Sequence, residues 1–259
     1  MLAIICRYRN LTDAHNWWIK EIIQRQHSQP PLNGGASNHI VRSNMNCSEV
    51  IALLTRRGCI DLTYSLIPPN HVTYPVASGG LGDVFCGQLV DGTPVAIKTI
   101  RVYGGDSHGK YNKRAAREIH TWSKFSHPNI VKLLGLAVYR DCLAMVSPWA
   151  SNGDLRRYLY RHQSADRCRL SISICAGLAY LHENKVVHGD LKGANVLIAG
   201  DGTPMLADFG SSSLRDTTLQ FTRTDTQPGY SLRWTAPEII RGKSGNTTAG
   251  DVYSLGMVS

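Results

Sequence analysis

The sequence predicts an α+β fold with two lobes, in which a strand-rich half precedes a helix-rich half. Between residues 72 and 147, short apolar runs separated by glycine, proline or aspartate turns are typical of β-strands. From residue 148 onward, longer segments with helical spacing dominate, and the longest covers residues 165–183. Strands grouped before helices favour an α+β unit over an alternating parallel sheet.

The composition indicates an ordinary globular chain. The 259 residues include 42% hydrophobic and 18% charged residues, which excludes a wholly disordered chain and suffices for a core. We expect no membrane span, because no run has the necessary apolar length, and Arg7 ends the apolar N-terminal run too early for a signal peptide. We therefore expect a cytoplasmic protein whose seven cysteines, which form no C-x-x-C pair, are reduced thiols.

The net charge of +9 raises the question of a polyanionic partner. The basic excess is spread along the chain, with one cluster at Arg156, Arg157, Arg161, Arg167 and Arg169. This cluster can meet the phosphates of a nucleic acid or a membrane surface. A solvated helix face explains it better, because a run of charged residues usually lies on such a face. We expect no specific nucleic-acid partner.

The first 70 residues are predicted to form an N-terminal extension or linker with one short helix near residues 48–58. Ser48 has the character of an N-cap, and a glycine follows the apolar run at its end. A Pro-Pro-Asn stretch then interrupts the pattern. We therefore expect a second, larger domain over residues 71–259.

Within this larger domain each element has its own pattern. Strands are expected at residues 72–76, 83–90, 95–100, 130–138 and 142–147. Helices are expected at residues 110–125 and 165–183. Two Asp-Gly pairs, which begin at Asp91 and Asp201, predict hairpin turns.

A glycine-rich turn lies between the first two predicted strands, with glycines at Gly79, Gly80 and Gly82. Such a turn lets backbone N–H groups approach phosphate oxygens closely, but an ordinary glycine-rich hairpin fits equally well. The absence of a following Gly-Lys-Ser/Thr excludes a P-loop. A strand follows the glycines instead of a helix, which disfavours a dinucleotide-binding fold.

Lys98 ends the apolar run Val-Ala-Ile-Lys, from which its ammonium group can reach phosphates beneath the glycine-rich turn. An unpaired charge in such a strand is costly. Glu118 is the one acidic residue between Asp106 and Asp141, and it lies in the middle of the predicted helix at residues 110–125. An enclosed Lys98 therefore predicts a Lys98–Glu118 ion pair.

Two further motifs follow predicted helices or strands. The first is His-Gly-Asp-Leu-Lys-Gly-Ala-Asn, with Asp190, Lys192 and Asn195, and the second is Asp-Phe-Gly, which begins at Asp208. Two carboxylates and an amide near strand ends form an oxygen cluster suited to Mg²⁺. Each motif alone fits a surface turn, but their order and spacing together indicate a site.

Together these motifs resemble the protein kinase family over residues 72–259. The resemblance includes a His-Pro-Asn turn at His127, an Ala-Pro-Glu triplet at Ala236 and the run Asp-Val-Tyr-Ser-Leu-Gly at Asp251. The chain is most similar to tyrosine-kinase-like members of the fungal type, and Lys192 favours serine or threonine substrates over tyrosine. The resemblance implies a bilobal kinase fold that transfers the γ-phosphoryl group of ATP to protein hydroxyls with Mg²⁺.

The resemblance also implies roles for the catalytic residues. Asp190 would orient the substrate hydroxyl and accept its proton, and Lys192 would stabilise charge on the transferred phosphoryl group. Asn195 and Asp208 would hold the magnesium ions.

Nucleotide binding would involve Lys98, oriented by Glu118, on the α- and β-phosphates. The other residues implied in nucleotide binding are Ser78, Gly79, Gly82, Val84, Ala96, Ser147, Pro148, Ala150 and Leu197. Ser147 would be a small gatekeeper, Pro148 would offer only its carbonyl, and Ala150 would supply a backbone N–H to adenine. Val84, Ala96 and Leu197 would enclose the ring, although ordinary core packing explains these three equally well.

The sequence departs from the family pattern in three places. Ala77 occupies the first glycine position of the loop, and Gly189 replaces the arginine that often pairs with a phosphorylated activation loop. We therefore expect that phosphorylation of the Ser/Thr-rich stretch at residues 211–235 is not required for activity. The chain stops at Ser259 inside a predicted helix, so we expect an incomplete C-lobe. A non-catalytic, nucleotide-binding or scaffolding fragment is the alternative function.

Overall fold

The computed structural model describes two groups of elements in the order that the sequence predicts. The described residues are 40–41, 44–67, 74–79, 82–100, 108–214, 220–221 and 231–258. Their strands are β1 (Ile40–Val41), β2 (Ala77–Gly79), β3 (Gly82–Gln88), β4 (Pro94–Thr99), β5 (Gly135–Tyr139), β6 (Cys142–Pro148), β7 (Val186–Val187), β8 (Val196–Ile198), β9 (Pro204–Leu206), β10 (Ser213–Leu214) and β11 (Gln220–Phe221). Their α-helices are α1 (Cys47–Thr55), α2 (His108–Trp122), α3 (Leu155–Arg161), α4 (Arg167–Glu183), α5 (Pro237–Ile240) and α6 (Thr248–Gly256). The α+β prediction is confirmed.

An antiparallel sheet with the strand order β2-β3-β4-β6-β5 forms the strand-rich half. In its register, Lys98 pairs with Val84 and Met145, while Ala96 pairs with Ser147. Directly paired residues share a face, and side chains two apart on a strand do so too. The register therefore collects Val84, Ala96, Lys98 and Ser147 on one face of the sheet.

The opposite face of the sheet has a small apolar core of its own, with Phe85, Ile97 and Val146 at its centre. Helix α2 contacts β6 and belongs to the larger core. Its buried residues include Ala115, Ile119 and Trp122, whose helical spacing forms one apolar stripe. Since Glu118 lies beside this stripe, the helix carries its carboxylate into the interior.

The helix-rich half is organised around α4, which the sequence predicts at residues 165–183. Asp166 caps its N-terminus by accepting a hydrogen bond from the Arg169 N–H at 2.9 Å. Leu170, Ile174 and Leu178 are buried at helical spacing, and α4 contacts β9. The β8–β9 hairpin therefore packs on α4. Asn195 directly precedes this hairpin in the chain, and Asp208 follows it.

Some predicted boundaries are wrong. The strand expected at residues 130–138 begins only at Gly135, because Val131 donates its N–H to Leu206 of β9 instead of to the sheet. The strand expected at residues 72–76 begins its run outside the described residues, and β2 follows it at Ala77–Gly79. Gly80 also lies outside the described residues.

The helix expected near residues 48–58 is α1, and Ser48 is not its N-cap. Asn46 caps it instead: its side chain accepts the Glu49 N–H at 3.0 Å, while the Glu49 carboxylate accepts the Asn46 N–H at 2.8 Å. This reciprocal pair is a capping box, and Ser48 falls inside the first turn.

None of the helices in the described part of the chain combines the length and the apolar composition that a membrane span requires.

Candidate active site

The centre of the candidate site is an ion-pair cluster formed by Lys98, Glu118 and Asp208. The Lys98 ammonium on β4 donates to Glu118 Oε1 and to Asp208 Oδ1, each at 2.7 Å. Glu118 lies on α2, and Asp208 follows β9 in the chain. Glu118 is nearly fully buried, whereas Lys98 and Asp208 keep some solvent exposure. The structure thus joins one residue from each of three separate elements.

The three charges shift each other's pKa values. Burial raises the pKa of Glu118, and the Lys98 ammonium only partly opposes this effect. Burial alone would lower the pKa of Lys98, but the carboxylates of Glu118 and Asp208 outweigh it and raise the pKa. Burial would raise the pKa of Asp208, but Lys98 outweighs it and lowers the pKa. Asp208 is therefore strongly favoured as an anion beside a protonated lysine.

Asp190 is oriented by two neighbours in its own loop. Lys192 Nζ donates to Asp190 Oδ2 at 2.7 Å and to Ser231 Oγ at 2.8 Å. Asn195 Nδ2 donates to the Asp190 carbonyl at 2.7 Å and to Oδ2 at 3.1 Å. No described residue donates to Asp190 Oδ1, so this oxygen can accept a hydrogen bond from a bound hydroxyl group.

The backbone of this loop is held by Asp251, whose role sequence reasoning missed. Asp251 lies on α6, is buried, and accepts the His188 N–H at 2.8 Å and the Gly189 N–H at 2.9 Å. His182 Nε2 lies 2.9 Å from the same carboxylate. Charge-assisted bonds of this kind fix a loop more firmly than neutral ones. The sequence signal that could have indicated this role was the position of Asp251, which begins the run Asp-Val-Tyr-Ser-Leu-Gly near the start of a helix.

His188 links the Asp190 loop to the segment that carries Asp208. Its Nδ1 lies 3.3 Å from the Asp190 N–H, so Nδ1 is the acceptor and Nε2 carries the proton. Nε2 then donates to the Ala207 carbonyl at 3.0 Å. His188 is fully buried, so these bonds couple the two acidic residues through the interior.

Aromatic rings fix the position of the residue after Asp208. The Phe209 ring has centroid distances of 5.1 Å to Phe125, 5.6 Å to His188 and 5.7 Å to Trp122. Tilted and edge contacts of this kind are favourable aromatic arrangements. Trp122 ends α2, so the same contacts tie Glu118's helix to the Asp208 segment. Sequence reasoning missed Trp122 and Phe125, although both are aromatic residues at the end of a predicted helix.

Asn195 and Asp208 satisfy the donor chemistry of a magnesium site. The Ala207 N–H donates to the Asn195 carbonyl at 2.9 Å. Because Asp208 follows Ala207, this bond brings Asn195 and Asp208 to the same end of the β8–β9 hairpin. The Asn195 side-chain nitrogen makes both contacts to Asp190, so its amide oxygen is not used by that aspartate. Mg²⁺ commonly uses one or two such oxygen ligands together with substrate phosphates.

The predicted nucleotide-binding residues divide into two groups. Val84, Ala96 and Leu197 are partly exposed, unlike the buried core residues next to them on the same strands. Ser147 is buried opposite Ala96. In the hinge, residues 148–150, the Trp149 N–H donates to the Pro94 carbonyl at 3.2 Å. The partial exposure of Val84, Ala96 and Leu197 is compatible with a ligand surface, and Leu197 also packs against the larger core.

The other residues in the nucleotide-binding prediction lie near the loop and the hinge. Pro148 ends β6, and Ala150 accepts the Gly153 N–H at 3.1 Å. Gly79 pairs with Gly82 across the β2–β3 hairpin. The Ser78 hydroxyl donates to Asp83 Oδ1 at 2.6 Å, and this contact is exposed.

A family model described as the protein kinase domain matches residues 71–259. The chain is 34% identical to calmodulin-binding receptor-like cytoplasmic kinase 1 of Arabidopsis thaliana, over 71% of this chain and 40% of the relative. It is 36% identical to a probable LRR receptor-like serine/threonine-protein kinase of the same plant, over 71% and 20%. It is 32% identical to the probable serine/threonine-protein kinase kinX of Dictyostelium discoideum, over 71% and 17%. The chain spans less than half the length of each of these relatives.

Proposed function

The chain belongs to the protein kinase family, and from that premise we propose that it transfers the γ-phosphoryl group of ATP to hydroxyl groups of proteins. The observation that carries this proposal is the Lys98 ammonium, which bonds Glu118 and Asp208 at 2.7 Å each. Kinase catalysis requires the lysine–glutamate pair and the metal-binding aspartate to be in place together. A scaffold that only binds nucleotide would use this arrangement too, but it has no need for Asp190.

Asp190 is proposed to receive the proton of the attacking hydroxyl. Its Oδ2 is occupied by Lys192 and Asn195, which leaves Oδ1 for the substrate. Lys192 carries its positive charge to the point where negative charge develops on the transferred group. Because these residues mainly orient the hydroxyl and stabilise charge, most of the rate gain is attributed to positioning.

The face of the sheet with Val84, Ala96 and Ser147 is proposed to hold adenine, with Leu197 on the other side of the ring. Backbone groups of Pro148 and Ala150 would provide the polar contacts to its edge. The glycine-rich turn with Ser78, Gly79 and Gly82 would cover the phosphates with its backbone N–H groups. Lys98 would then contact the α- and β-phosphates.

Asn195 and Asp208 are proposed to hold Mg²⁺, because both present oxygen ligands at one end of the β8–β9 hairpin. When bound, the metal would neutralise charge on the phosphates. The low pKa of Asp208 beside Lys98 keeps this ligand ionised without the metal.

Serine and threonine are the proposed acceptor residues, with tyrosine as the less favoured one. Lys192 in the catalytic loop supports this choice, and several relatives are named serine/threonine-protein kinases. Phosphoamino-acid analysis of a mixed protein substrate will test it. Phosphoserine and phosphothreonine are expected, and phosphotyrosine as the main product would contradict the assignment.

Phosphorylation of the activation segment is proposed to be unnecessary for activity. Gly189 offers no side chain to a phosphate, and its own N–H and that of His188 already donate to Asp251. Treatment with a phosphatase should leave the transfer rate unchanged. A loss of activity that ATP restores would contradict this proposal.

The biological setting proposed is a cytoplasmic kinase whose partners are ATP and a protein substrate. The proposed kinase domain spans residues 71–259, and the earlier residues are its N-terminal extension. No specific nucleic-acid partner is proposed, since the arginine side chains on α3 and α4 are exposed and fit a solvated helix face.

The test of the function is phosphoryl transfer from labelled Mg-ATP by the full chain and by Asp190→Asn. The variant should be slower by about 10²–10⁴-fold, the usual contribution of a positioned proton acceptor. Asp201→Asn is the matched control, because Asp201 is an exposed turn residue that bonds only its neighbour Thr203. Equal rates for wild type and Asp190→Asn would refute the proposal, and nucleotide binding without transfer would favour the scaffold alternative.

A further inference from the structure

Helix α1 packs against α2 although it lies outside the range that the family model matches. Val50 and Leu54 are fully buried, and Ile51 is nearly so. These three residues occupy one face of α1 and join the same apolar core as Ala115 and Ile119 of α2. Helix α1 therefore covers a face of the helix that carries Glu118.

Polar contacts fix the register between the two helices. Asn112 on α2 is buried, and its Nδ2 donates to the Met45 carbonyl at 3.2 Å. Its Oδ1 accepts from the Cys47 thiol at 3.3 Å. The start of α1 thus satisfies both ends of a buried amide that lies less than two helical turns before Glu118.

The chain that follows α1 is anchored to the sheet. The Leu62 N–H donates to the Leu136 carbonyl at 2.7 Å, and the Leu136 N–H donates to the Ile60 carbonyl at 2.9 Å. Further along, the Ile67 N–H donates to the Gln88 carbonyl at 2.9 Å. These bonds extend the β5 edge of the sheet and then reach the end of β3, so α1 is attached to the sheet that carries Lys98.

The chain that precedes α1 contacts the segment between Asp208 and Ala236. Strand β1 pairs in parallel with β11, with Ile40 opposite Gln220 and Val41 opposite Phe221. Val41 is fully buried. One stretch of chain therefore contacts the sheet of Lys98, the helix of Glu118 and the segment after Asp208.

We propose that residues 40–41 and 44–67, here named the upstream brace, position Glu118 against Lys98 and so form part of the catalytic unit. This inference rests on the proposed function, and it assigns a positioning role to Leu54, Val50 and Asn112. Because α2 is one continuous helix of 15 residues, a brace that fixes its outer face should also fix the 2.7 Å contact at its inner face. Loosening the brace should lower the population of the assembled site.

The test compares Leu54→Ala with Leu170→Ala in the full chain. Both remove the same atoms from buried leucines, but Leu170 lies on α4 in the helix-rich half of the chain. Hydrogen exchange of the α2 amides, measured without nucleotide, should rise by about tenfold in Leu54→Ala relative to Leu170→Ala. The kcat/KM for ATP should fall by about tenfold more in Leu54→Ala, measured where both variants are fully folded.

A double-mutant cycle separates positioning from general destabilisation. In a Glu118→Gln background, Leu54→Ala should have little further effect on kcat/KM, because the pair that it positions is already lost. Leu54→Met should restore both readouts, and Leu54→Val replaces Leu54→Ala if the latter does not fold. Equal effects of Leu54→Ala and Leu170→Ala, or additive effects with Glu118→Gln, would overturn the proposal. An inactive wild-type chain would refute the function instead, and the exchange of α2 would still judge the brace.

Discussion

Replacing Gly189 with alanine should destabilise the protein more than an ordinary glycine substitution. Gly189 precedes Asp190 and has a φ of +80°, in the left-handed region that side chains disfavour. A Cβ placed there would lie 2.8 Å from the Ser211 carbonyl oxygen and would also overlap Asn246 Nδ2. The Gly189 N–H must keep its position to reach Asp251. The residue is therefore constrained by backbone angle, by space and by hydrogen bonding.

The magnitude follows from the first two constraints. A left-handed conformation costs an alanine about 1–2 kcal/mol. Relieving overlap with a fixed backbone oxygen adds about 1–3 kcal/mol, so the free energy of unfolding should fall by about 2–5 kcal/mol. Gly242→Ala is the matched control, because Gly242 has a φ of +67° but no atom within 4 Å of its Cβ position. That variant should lose only about 1–2 kcal/mol.

Thermal and urea unfolding of the two full-length variants will measure this difference. For a domain of this size each kcal/mol lowers the Tm by about 2–4 °C, so Gly189→Ala should melt well below Gly242→Ala. Phosphoryl transfer by Gly189→Ala should fall as well, because Asp190 is the next residue. Equal losses of stability in the two variants would show that the space around Gly189 relaxes freely, and the reasoning would be wrong.

Three further predictions concern buried charge. Burial and two nearby cations lower the pKa of His120 to about 4, below the unfolded value of about 6.5. Its stabilising contribution is therefore present above pH 6.5 and lost as the pH falls toward 4. Urea unfolding should show that wild type loses about 2 kcal/mol more than His120→Gln between pH 7 and pH 5; parallel losses would contradict this. Lys98→Met leaves the Glu118 carboxylate buried without its partner and should cost about 3–5 kcal/mol, whereas Lys98→Met with Glu118→Gln should cost clearly less; equal costs would argue against a coupled pair. Asp251→Asn weakens two charge-assisted bonds to the loop and should lower both the Tm and the transfer rate, and an unchanged rate would show that the loop does not need this anchor.

The Lys98–Glu118 ion pair could be predicted from the sequence because few carboxylates were available as partners for Lys98. Lys98 in an apolar strand needed a carboxylate, and Glu118 was the one acid within a long stretch of chain. The structure brings these two together, and it adds Asp208 to the same ammonium group. Local patterns also predicted the helices α1, α2 and α4 and the strands β3, β4, β5 and β6, because their buried faces repeat at the period of the element.

The other features of the fold and the site depended on contacts between segments that are distant in the chain, and local sequence patterns do not encode such contacts. Nothing around Val131 distinguishes a strand of the sheet from a segment that pairs with β9. The attachment of residues 60–67 to the sheet uses isolated backbone bonds, which have no sequence signature. Asp251 bonds His188 and Gly189, which lie 63 and 62 residues before it in the chain, so its role required the folded arrangement.

Thermal unfolding of the full chain with and without Mg-ATP tests most directly whether these residues form an assembled nucleotide site. At a hundredfold excess of ATP over its Kd, binding should stabilise wild type by about 2.7 kcal/mol and raise the Tm by several degrees. Lys98→Met should show a clearly smaller rise at the same concentration. A wild-type Tm that Mg-ATP leaves unchanged up to millimolar concentration, or an equal rise in Lys98→Met, would contradict the proposed site.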